Sequence, residues 1–378
     1  MDIKIISRPA VLLEAVELVC RFVNNQTLEN SKRDFFLKFA GQLGDGQYQE
    51  AVFDALGELM EAGVRGMDPR DPRLSYYFRD IPLEGSQQRT CLAKILLYSF
   101  YEGEGFSFAE GLAECRRRYA EFCRADFSGY RIINIDPHGL NLEALEGEAA
   151  APLFQQLEPF ELPAGDKWEI YRSLRDYDSA LRELETLLAP VARRIAPVLE
   201  KLQPLLDRTA DYWRDYFAGR SFRDFKAELL GVEPESADAE EGERVVWFWW
   251  LGFGQLHCYQ GRGREALNIG ILVRRENSPK AAGYVQGNVQ NILKLLSDRS
   301  KYDLLRRMVG RQSYGLELAN EMGLTSGTIS KHLNTLFSYG LLKLQRVNNR
   351  VYYQTDEEAV RLFLEQLAEG ILGKQENE

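Results

Sequence analysis

The sequence predicts a mainly α protein, with a helical N-terminal domain that contains a small β element and a C-terminal winged helix-turn-helix domain. Three observations support this prediction. Apolar residues recur at helical spacing over most of the first half of the chain. Two apolar, β-prone stretches, 245–260 and 266–274, then predict a hairpin. Residues 313–353 finally show two short amphipathic helices and a second hairpin. We therefore place the N-terminal domain at 1–284 and the C-terminal domain at 285–378.

The 313–353 stretch is best explained as a helix, a tight turn and a second helix. Gly323 can adopt the positive φ that ends the first helix, and Thr325 can cap the second. In the second helix an apolar stripe at i, i+4 and i+7 faces inward; it consists of Ile329, Leu333 and Leu336. The other faces are short, polar and carry a cation, which suits a helix that enters a DNA major groove. We predict DNA contacts from Thr325, Ser326, Thr328, Ser330, Lys331 and His332, and we expect Thr335 outside the stripe as well.

A two-stranded wing is predicted directly after the second helix. Residues 341–347 and 350–353 are β-prone, and Asn348 and Asn349 between them tolerate the positive φ of a hairpin turn. Arg346 and Arg350 flank this turn, where guanidinium groups suit contacts to phosphates or to the minor groove. We therefore add Arg346, Asn348, Asn349 and Arg350 to the predicted DNA contacts.

Residues 293–353 resemble the ArsR-type winged-helix family of bacterial transcriptional regulators. LKLLSDRSKYDLLRRM (293–308) resembles the family's leading helix pair. LELANEMGLTSGTISKHLNTL (316–336) resembles its helix-turn-helix, including the Ser-x-His-Leu step, and FSYGLLKLQRVNNRVYY (337–353) resembles its Gly-Leu-Leu entry into the wing. The resemblance covers about a sixth of the chain. It implies a regulator that binds double-stranded DNA; a winged helix used only for protein contacts is the alternative.

Two apolar stripes on the outer helices of the C-terminal domain predict a dimer contact. In the resembling family these two elements meet their symmetry mates. The first stripe consists of Val289, Ile292, Leu293 and Leu296, and the second of Val360, Phe363, Leu364, Leu367 and Ile371. Coverage of both stripes by the N-terminal domain is the alternative.

The charge distribution is uneven along the chain. The formal net charge is −10, whereas residues 288–355 hold ten Lys or Arg and four Asp or Glu and therefore carry +6. A basic segment in an acidic protein marks the surface that faces phosphates. We therefore expect the large domain to lie away from the DNA.

The N-terminal domain contains a long helical stretch at 168–217 and an aromatic strand at 245–260. Pro190, Pro197 and Pro204 interrupt the helical stretch, which predicts bent or broken helices that share one apolar seam. The seam can pack inside the protein or form a dimer contact. The aromatic strand can belong to the core or line a ligand pocket.

The cysteines and the first apolar stretch favour a cytoplasmic protein. The five cysteines are odd in number and scattered, and no Cys-x-x-Cys pair occurs, as expected for reduced thiols. Charged residues interrupt the first apolar stretch, which does not fit a secretory signal. The longest uncharged apolar run is too short to cross a bilayer, so we expect no membrane contact.

Catalytic and metal-binding patterns are weak. The three histidines, His138, His257 and His332, show no metal-ligand spacing, and no nucleotide-binding loop or nucleophile elbow occurs. The thiolate and histidine ligands of the resembling family's metal sensors are absent at the matching positions, 313–318 and 356–372. We therefore predict neither enzymatic activity nor a cofactor nor a metal site.

These observations together predict a cytoplasmic, sequence-specific transcriptional regulator of the ArsR type that acts as a homodimer. Its large N-terminal domain would control DNA binding. Whether it does so in response to a small-molecule effector is left open by the sequence. The competing hypothesis is a small-molecule-binding protein or enzyme whose winged helix docks a protein.

Overall fold

The computed structural model describes residues 3–38, 45–83, 89–123, 127, 129–145, 150–160, 162–230, 232–233, 242–261, 264–275, 289–347 and 350–372. Within these ranges the protein is mainly helical, as predicted, and its strands form four small sheets. None of the helices in these ranges combines the length and the apolar character needed to cross a bilayer. The predicted domain boundary at 284–285 lies outside the described residues.

Helices dominate the N-terminal part of the chain. They are α1 (Val11–Val23), α2 (Leu28–Lys38), α3 (Gly46–Val64), α4 (Pro72–Phe78), α5 (Leu92–Leu97), α6 (Phe108–Cys123), α7 (Leu153–Leu157), α8 (Ala164–Arg175), α9 (Tyr177–Lys201), α10 (Gln203–Phe217) and α11 (Phe222–Phe225). A 3-10 turn follows α5 at Tyr98–Phe100, and a π-helical segment follows α11 at Lys226–Leu230. The strands are β1 (Ile3–Ile5), β2 (Ile81–Pro82), β3 (Arg89–Thr90), β4 (Tyr130–Asp136), β5 (Gly139–Ala144), β6 (Val232–Glu233), β7 (Glu243–Trp249), β8 (Leu256–Gly261) and β9 (Arg264–Gly270).

The C-terminal part contains five helices and three strands among its described residues. The helices are α12 (Val289–Leu296), α13 (Arg299–Arg307), α14 (Gly315–Met322), α15 (Ser326–Ser338) and α16 (Glu357–Leu372). The strands are β10 (Ser313–Tyr314), β11 (Leu342–Val347) and β12 (Arg350–Thr355). This order of short helices and strands follows the predicted pattern.

The largest sheet of the N-terminal part joins distant segments in the order β1-β7-β9-β8. β7 runs parallel to both β1 and β9, whereas β8 and β9 form an antiparallel hairpin. The predicted single strand over 245–260 is therefore wrong: it breaks into β7 and β8. At the break, the amide of Gln255 donates to the carbonyl of Gly252 at 2.8 Å. A side chain at Gly252 would lie 2.2 Å from the Trp249 ring, so only glycine fits this turn.

The apolar seam of the long helical stretch packs inside the protein. Leu181, Leu184, Leu188, Val191 and Ile195 of α9 are buried in the core that α9 shares with α1 and α3. This finding confirms the intramolecular alternative for the buried part of the seam.

The prolines of this stretch disturb the helices less than predicted. α9 continues through Pro190 and Pro197, and the stretch divides at Asp176, between α8 and α9, and at Leu202, between α9 and α10. Pro204 lies in the first turn of α10, where its missing N–H is not needed. Buried packing along α9 offsets the cost of the two internal prolines.

The sequence pattern of residues 141–157 predicts a helix, but these residues do not form a single helix. The segment instead begins within β5 and ends as the short helix α7. β5 pairs with β4 in an antiparallel hairpin, and the turn between them contains Gly139 with a φ of +113°. A side chain at Gly139 would lie 2.6 Å from the Ser99 hydroxyl, so glycine permits the hairpin to dock on the 3-10 turn.

A buried carboxylate links α1 to the turn after β7. Both oxygens of Glu14 accept backbone N–H groups, from Trp250 at 2.7 Å and from Leu251 at 2.9 Å. Burial nevertheless raises the pKa of Glu14 to about 7. One helical turn later, Glu17 pairs with Lys94 of α5 at 2.7 Å. The first helix is thus attached to the sheet and to α5 by satisfied polar groups.

His138 and His257 meet at one face of the first sheet, with ring centroids 4.0 Å apart. Burial lowers the pKa of His138 well below its ordinary value of 6.5, and the neighbouring imidazole and Lys94 act in the same direction. Burial also lowers the pKa of His257, although Asp136 opposes the shift. Both rings are therefore neutral at pH 7.

We expect His138→Phe to reduce the loss of stability that the protein suffers on acidification. Below the ordinary pKa of 6.5 the unfolded chain binds protons that the folded imidazole does not, so stability present at neutral pH is lost as the pH falls. Relative to wild type, the variant should gain at most about 1.4 kcal/mol per pH unit in this window. Glu14 has a raised pKa and therefore changes the stability in the opposite direction as the pH falls. Because Glu14 is present in both proteins, its contribution cancels in the difference between them. Thermal unfolding between about pH 7 and pH 5 measures this difference; a difference independent of pH would contradict the assignment.

The C-terminal part has its own apolar cluster, which shares no residue with the first. Its buried members are Ile292, Leu295, Leu304, Leu305, Met308, Leu318, Ala319, Ile329, Leu333, Leu336, Leu341, Leu342 and Phe363. The sheet beside it has the order β10-β12-β11-β6. Thr355 ties this sheet to the helices, because its amide donates to the carbonyl of Met308 at 3.1 Å and its hydroxyl to that of Leu305 at 2.6 Å.

Candidate nucleic-acid interface

The connection between α14 and α15 is a three-residue turn with a glycine at its start. Gly323 has a φ of +65°, the left-handed conformation that ends α14. The amide of the next residue, Leu324, donates to the carbonyl of Ala319 at 3.1 Å and closes the helix end. Thr325 then caps α15, since its hydroxyl accepts the Thr328 amide at 3.1 Å. Both roles agree with the sequence prediction.

α15 has an apolar inner side and a polar outer side. Ile329, Leu333 and Leu336 are at most 1% exposed and anchor the helix in the C-terminal cluster. Three of the predicted contact residues are exposed, namely Thr325, Ser326 and Ser330. Three are half-buried, namely Thr328, Lys331 and His332. The first two turns of α15 therefore present a small polar surface to solvent.

Thr335 differs from the prediction that it lies outside the apolar stripe. It is 6% exposed, and its hydroxyl donates to the carbonyl of Lys331 at 2.8 Å. This bond to the preceding turn satisfies the hydroxyl within the helix and permits its burial. Thr335 therefore does not extend the outer polar surface of α15.

The predicted wing corresponds to the antiparallel hairpin of β11 and β12. The register runs from Leu342 opposite Thr355 to Val347 opposite Arg350, which leaves a two-residue connection. Arg346 and Arg350 occupy the strand positions next to this connection. The predicted turn residues, Asn348 and Asn349, lie outside the described residues.

Acidic residues near this surface pair with bases on other elements. Asp298 contacts Lys301 at 2.6 Å, and Glu321 contacts Arg311 at 2.5 Å. Asp303 lies 3.8 Å from Arg306, and Glu317 lies 3.6 Å from Arg311. All four acids of the segment 288–355 thus belong to pairs along α13, α14 and the turns that flank α13.

The remainder of the segment carries only positive formal charge. Residues 325–355 contain Lys331, Lys343, Arg346 and Arg350 and no Asp or Glu. Lys343 lies 3.5 Å from Asp356, immediately after this range. α15 and the β11–β12 hairpin therefore concentrate the positive charge of the C-terminal part, as a phosphate-facing surface requires.

A short strand that has no counterpart in the sequence prediction, β6, links the N-terminal part to this sheet. β6 runs parallel to β11, with Val232 opposite Leu344 and Glu233 opposite Gln345. β6 therefore brings a short segment of the N-terminal part beside the β11–β12 hairpin. A two-residue strand carries too weak a local signal to be predicted; only its long-range pairing creates it.

Four large apolar side chains are exposed on α12 and α16, one on the first helix and three on the second. Leu293 is 42% exposed, Leu364 55%, Ile371 72% and Leu372 74%, whereas Phe363 is only 4% exposed. Phe363 thus packs in the cluster of its own chain, contrary to the prediction that it belongs to the outer stripe. Hereafter the outer stripe means Leu293, Leu364, Ile371 and Leu372.

No family model and no curated protein matches this chain. In the described part of the chain, His, Cys, Asp and Glu side chains nowhere gather in a group of three or more that could hold a metal ion.

Proposed function

We propose that the protein is a sequence-specific DNA-binding transcriptional regulator of the ArsR type that acts in the cytoplasm, and that its C-terminal part is a winged helix-turn-helix. One observation carries this proposal: the polar, exposed start of α15 and the β11–β12 hairpin belong to one segment, 325–355, that has four bases and no acid. A helix with small polar side chains can approach base edges, and cations beside it can neutralise phosphates.

In this proposal the two parts of the surface have different tasks. Thr325, Ser326, Thr328 and Ser330 are short hydrogen-bonding side chains at the start of α15, where recognition helices contact bases. Lys331, Arg346 and Arg350 supply charge for phosphate contacts, which position the protein without reading sequence. His332 lies beside Lys331 and would contribute at the edge of the surface.

We propose that the outer stripe forms a twofold interface in a homodimer. Four large apolar side chains exposed on two neighbouring helices favour such a contact. A dimer would present two α15 helices to two half-sites, which gives usable specificity from short contacts. The β6–β11 pairing supports control by the N-terminal part, because a shift of β6 would act directly on the hairpin.

The proposal predicts that Lys331→Ala and Arg350→Ala each weaken binding to an operator selected by the full-length protein from random duplex DNA. Loss of one phosphate contact should reduce the slope of log affinity against log salt by about one. Lys294→Ala, at an exposed position on α12, is the matched control and should leave the slope unchanged. Fluorescence anisotropy across a salt series measures the slopes; equal slopes in wild type, Lys331→Ala and Arg350→Ala would refute the proposed docking geometry.

A further inference from the structure

A buried polar group lies on one face of the first sheet of the N-terminal part, where β7, β9 and β8 are neighbours. Asn268 of β9 is opposite Trp247 of β7 and opposite His257 of β8. Partners in register share a face, and Trp249 shares it too because it lies two residues after Trp247. The face thus combines one amide and one imidazole with two indoles.

The turn between β4 and β5 covers this face with a further imidazole. The ring of His138 lies 4.0 Å from that of His257 and 5.1 Å from that of Trp249. Tyr98 stacks on His138 at 6.3 Å with an interplanar angle of 11°. The backbone amide of His138 donates to Asp136 at 2.7 Å, which fixes the turn. These contacts bring the imidazole and the sheet face together.

Several polar atoms at this place have no hydrogen-bond partner among the described residues. Asn268 is 0% exposed, yet neither its Oδ1 nor its Nδ2 is hydrogen bonded. The same holds for Nδ1 of His138 and Nε1 of Trp249. Each such unpaired group loses its hydrogen bonds to water on folding and gains none in return. The fold does satisfy the equally buried Glu14 nearby, so unmet donors and acceptors at one place indicate a bound molecule.

The surroundings define the chemical class of that molecule. The side chains on this face are aromatic or uncharged, since both histidines are neutral at pH 7. The nearest charges are engaged: Lys94 pairs with Glu17 at 2.7 Å, and Asp136 accepts from His138 and Asn141. A charged ligand would therefore find no opposite charge to pair with. The flat rings favour a planar ligand.

We propose that Asn268, His138 and Trp249 bind a small, uncharged, planar molecule with an adjacent hydrogen-bond donor and acceptor, as in a carboxamide or a nitrogen heterocycle. The amide of Asn268 presents one donor and one acceptor side by side, which matches such an edge in two hydrogen bonds. His138 and His257 are half-buried, whereas the amide of Asn268 is fully buried. The binding site itself does not depend on the proposed DNA-binding function. If both hold, the molecule is the effector of the regulator.

Isothermal titration of the full-length protein without DNA tests this site, with nicotinamide, adenine and hypoxanthine as probes. We expect saturable binding of at least one probe with a dissociation constant of about 1 mM or tighter. Nicotinate, which replaces the amide of nicotinamide with a carboxylate, should bind at least about tenfold more weakly than nicotinamide. Absence of saturable binding by all three probes would overturn the proposal, whatever the outcome with DNA.

Variants of the full-length protein separate this site from other binding places. Asn268→Leu keeps the branched four-atom skeleton of the side chain but removes the amide, and it should weaken binding of the probe at least about tenfold. Asn134→Leu is the matched control at an exposed asparagine of β4 and should bind as wild type does. His138→Phe keeps an aromatic ring but lacks Nδ1, and it should also weaken binding. It provides a second test if Asn268→Leu fails to fold. Wild-type affinity in His138→Phe and in a folded Asn268→Leu, or a crystal structure grown with the probe that shows only water at Asn268, would contradict the assignment.

Discussion

Ser330→Glu is expected to lower the affinity of the full-length protein for its selected operator at least about hundredfold, because like charges brought together at an interface cost several kcal/mol. Ser330 is exposed on the outer side of α15, between the buried residues Ile329 and Leu333. A carboxylate at this position would face phosphates and the electronegative edges of bases. The core side of the helix is untouched, so thermal unfolding should stay within about 0.5 kcal/mol of wild type. Fluorescence anisotropy with labelled operator DNA measures the affinity.

Ser297→Glu supplies the matched control for this prediction. Ser297 is exposed in the turn between α12 and α13, away from α15 in sequence and outside the predicted contacts. The same change in net charge there should lower the affinity only slightly. Equal losses in the two variants would show that overall charge, rather than contact by α15, governs binding.

Leu364→Glu is expected to raise the dissociation constant of the proposed homodimer at least about hundredfold. Burial of one leucine side chain stabilises by roughly 1.5–3 kcal/mol, and a twofold interface contains each residue twice. Leu364 is 55% exposed in the single chain, so the substitution should leave the fold intact. Phe363 does not permit this test, because its 4% exposure places it in the core and a charge there would unfold the domain. Analytical ultracentrifugation of the full-length protein gives the mass.

Val309→Glu controls for the added charge. Val309 is 50% exposed and follows α13, outside the outer stripe. It should leave the dimer intact. A folded Leu364→Glu protein with the sedimentation of wild type would place the contact between subunits elsewhere, and the N-terminal part would be the next surface to test.

Local signals suffice to predict most elements of the candidate interface. Gly323 adopts the expected left-handed conformation, and Thr325 caps α15 as its position suggested. The i, i+4, i+7 spacing of Ile329, Leu333 and Leu336 corresponds to the buried side of the helix. Each of these features depends on residues close in sequence, which is why the sequence contains the information.

Other features depend on distant partners and could not be predicted. Apolar spacing places Phe363 and Leu364 in one stripe, but only the packing of α16 on α12 decides that the first is buried and the second exposed. Likewise β7 pairs with β1, which lies at the opposite end of the N-terminal part of the chain. β6 is a strand only because it pairs with β11. Pairing between distant segments leaves little trace in the local pattern.

The role of the aromatic strand could not be predicted from the local sequence either. Trp247 and Trp249 alternate as a buried strand should, which the sequence analysis assigned to either core or pocket. The choice between core and ligand pocket depends on Asn268 and His138. Both come from other segments and have unmet hydrogen-bonding groups beside those rings. Their proximity follows from the register of β9 and from the docking of the β4–β5 turn, neither of which is encoded locally.

Selection of bound sequences from random duplex DNA by the full-length protein tests the central claim most directly. Our account predicts enrichment of a single motif with two inverted half-sites about 10 bp apart, or a multiple of that spacing, because a twofold dimer would present two α15 helices. The enriched motif should be lost when the selection is repeated with Ser330→Glu and retained with Ser297→Glu. A wild-type selection that remains indistinguishable from the input library would contradict the proposed function.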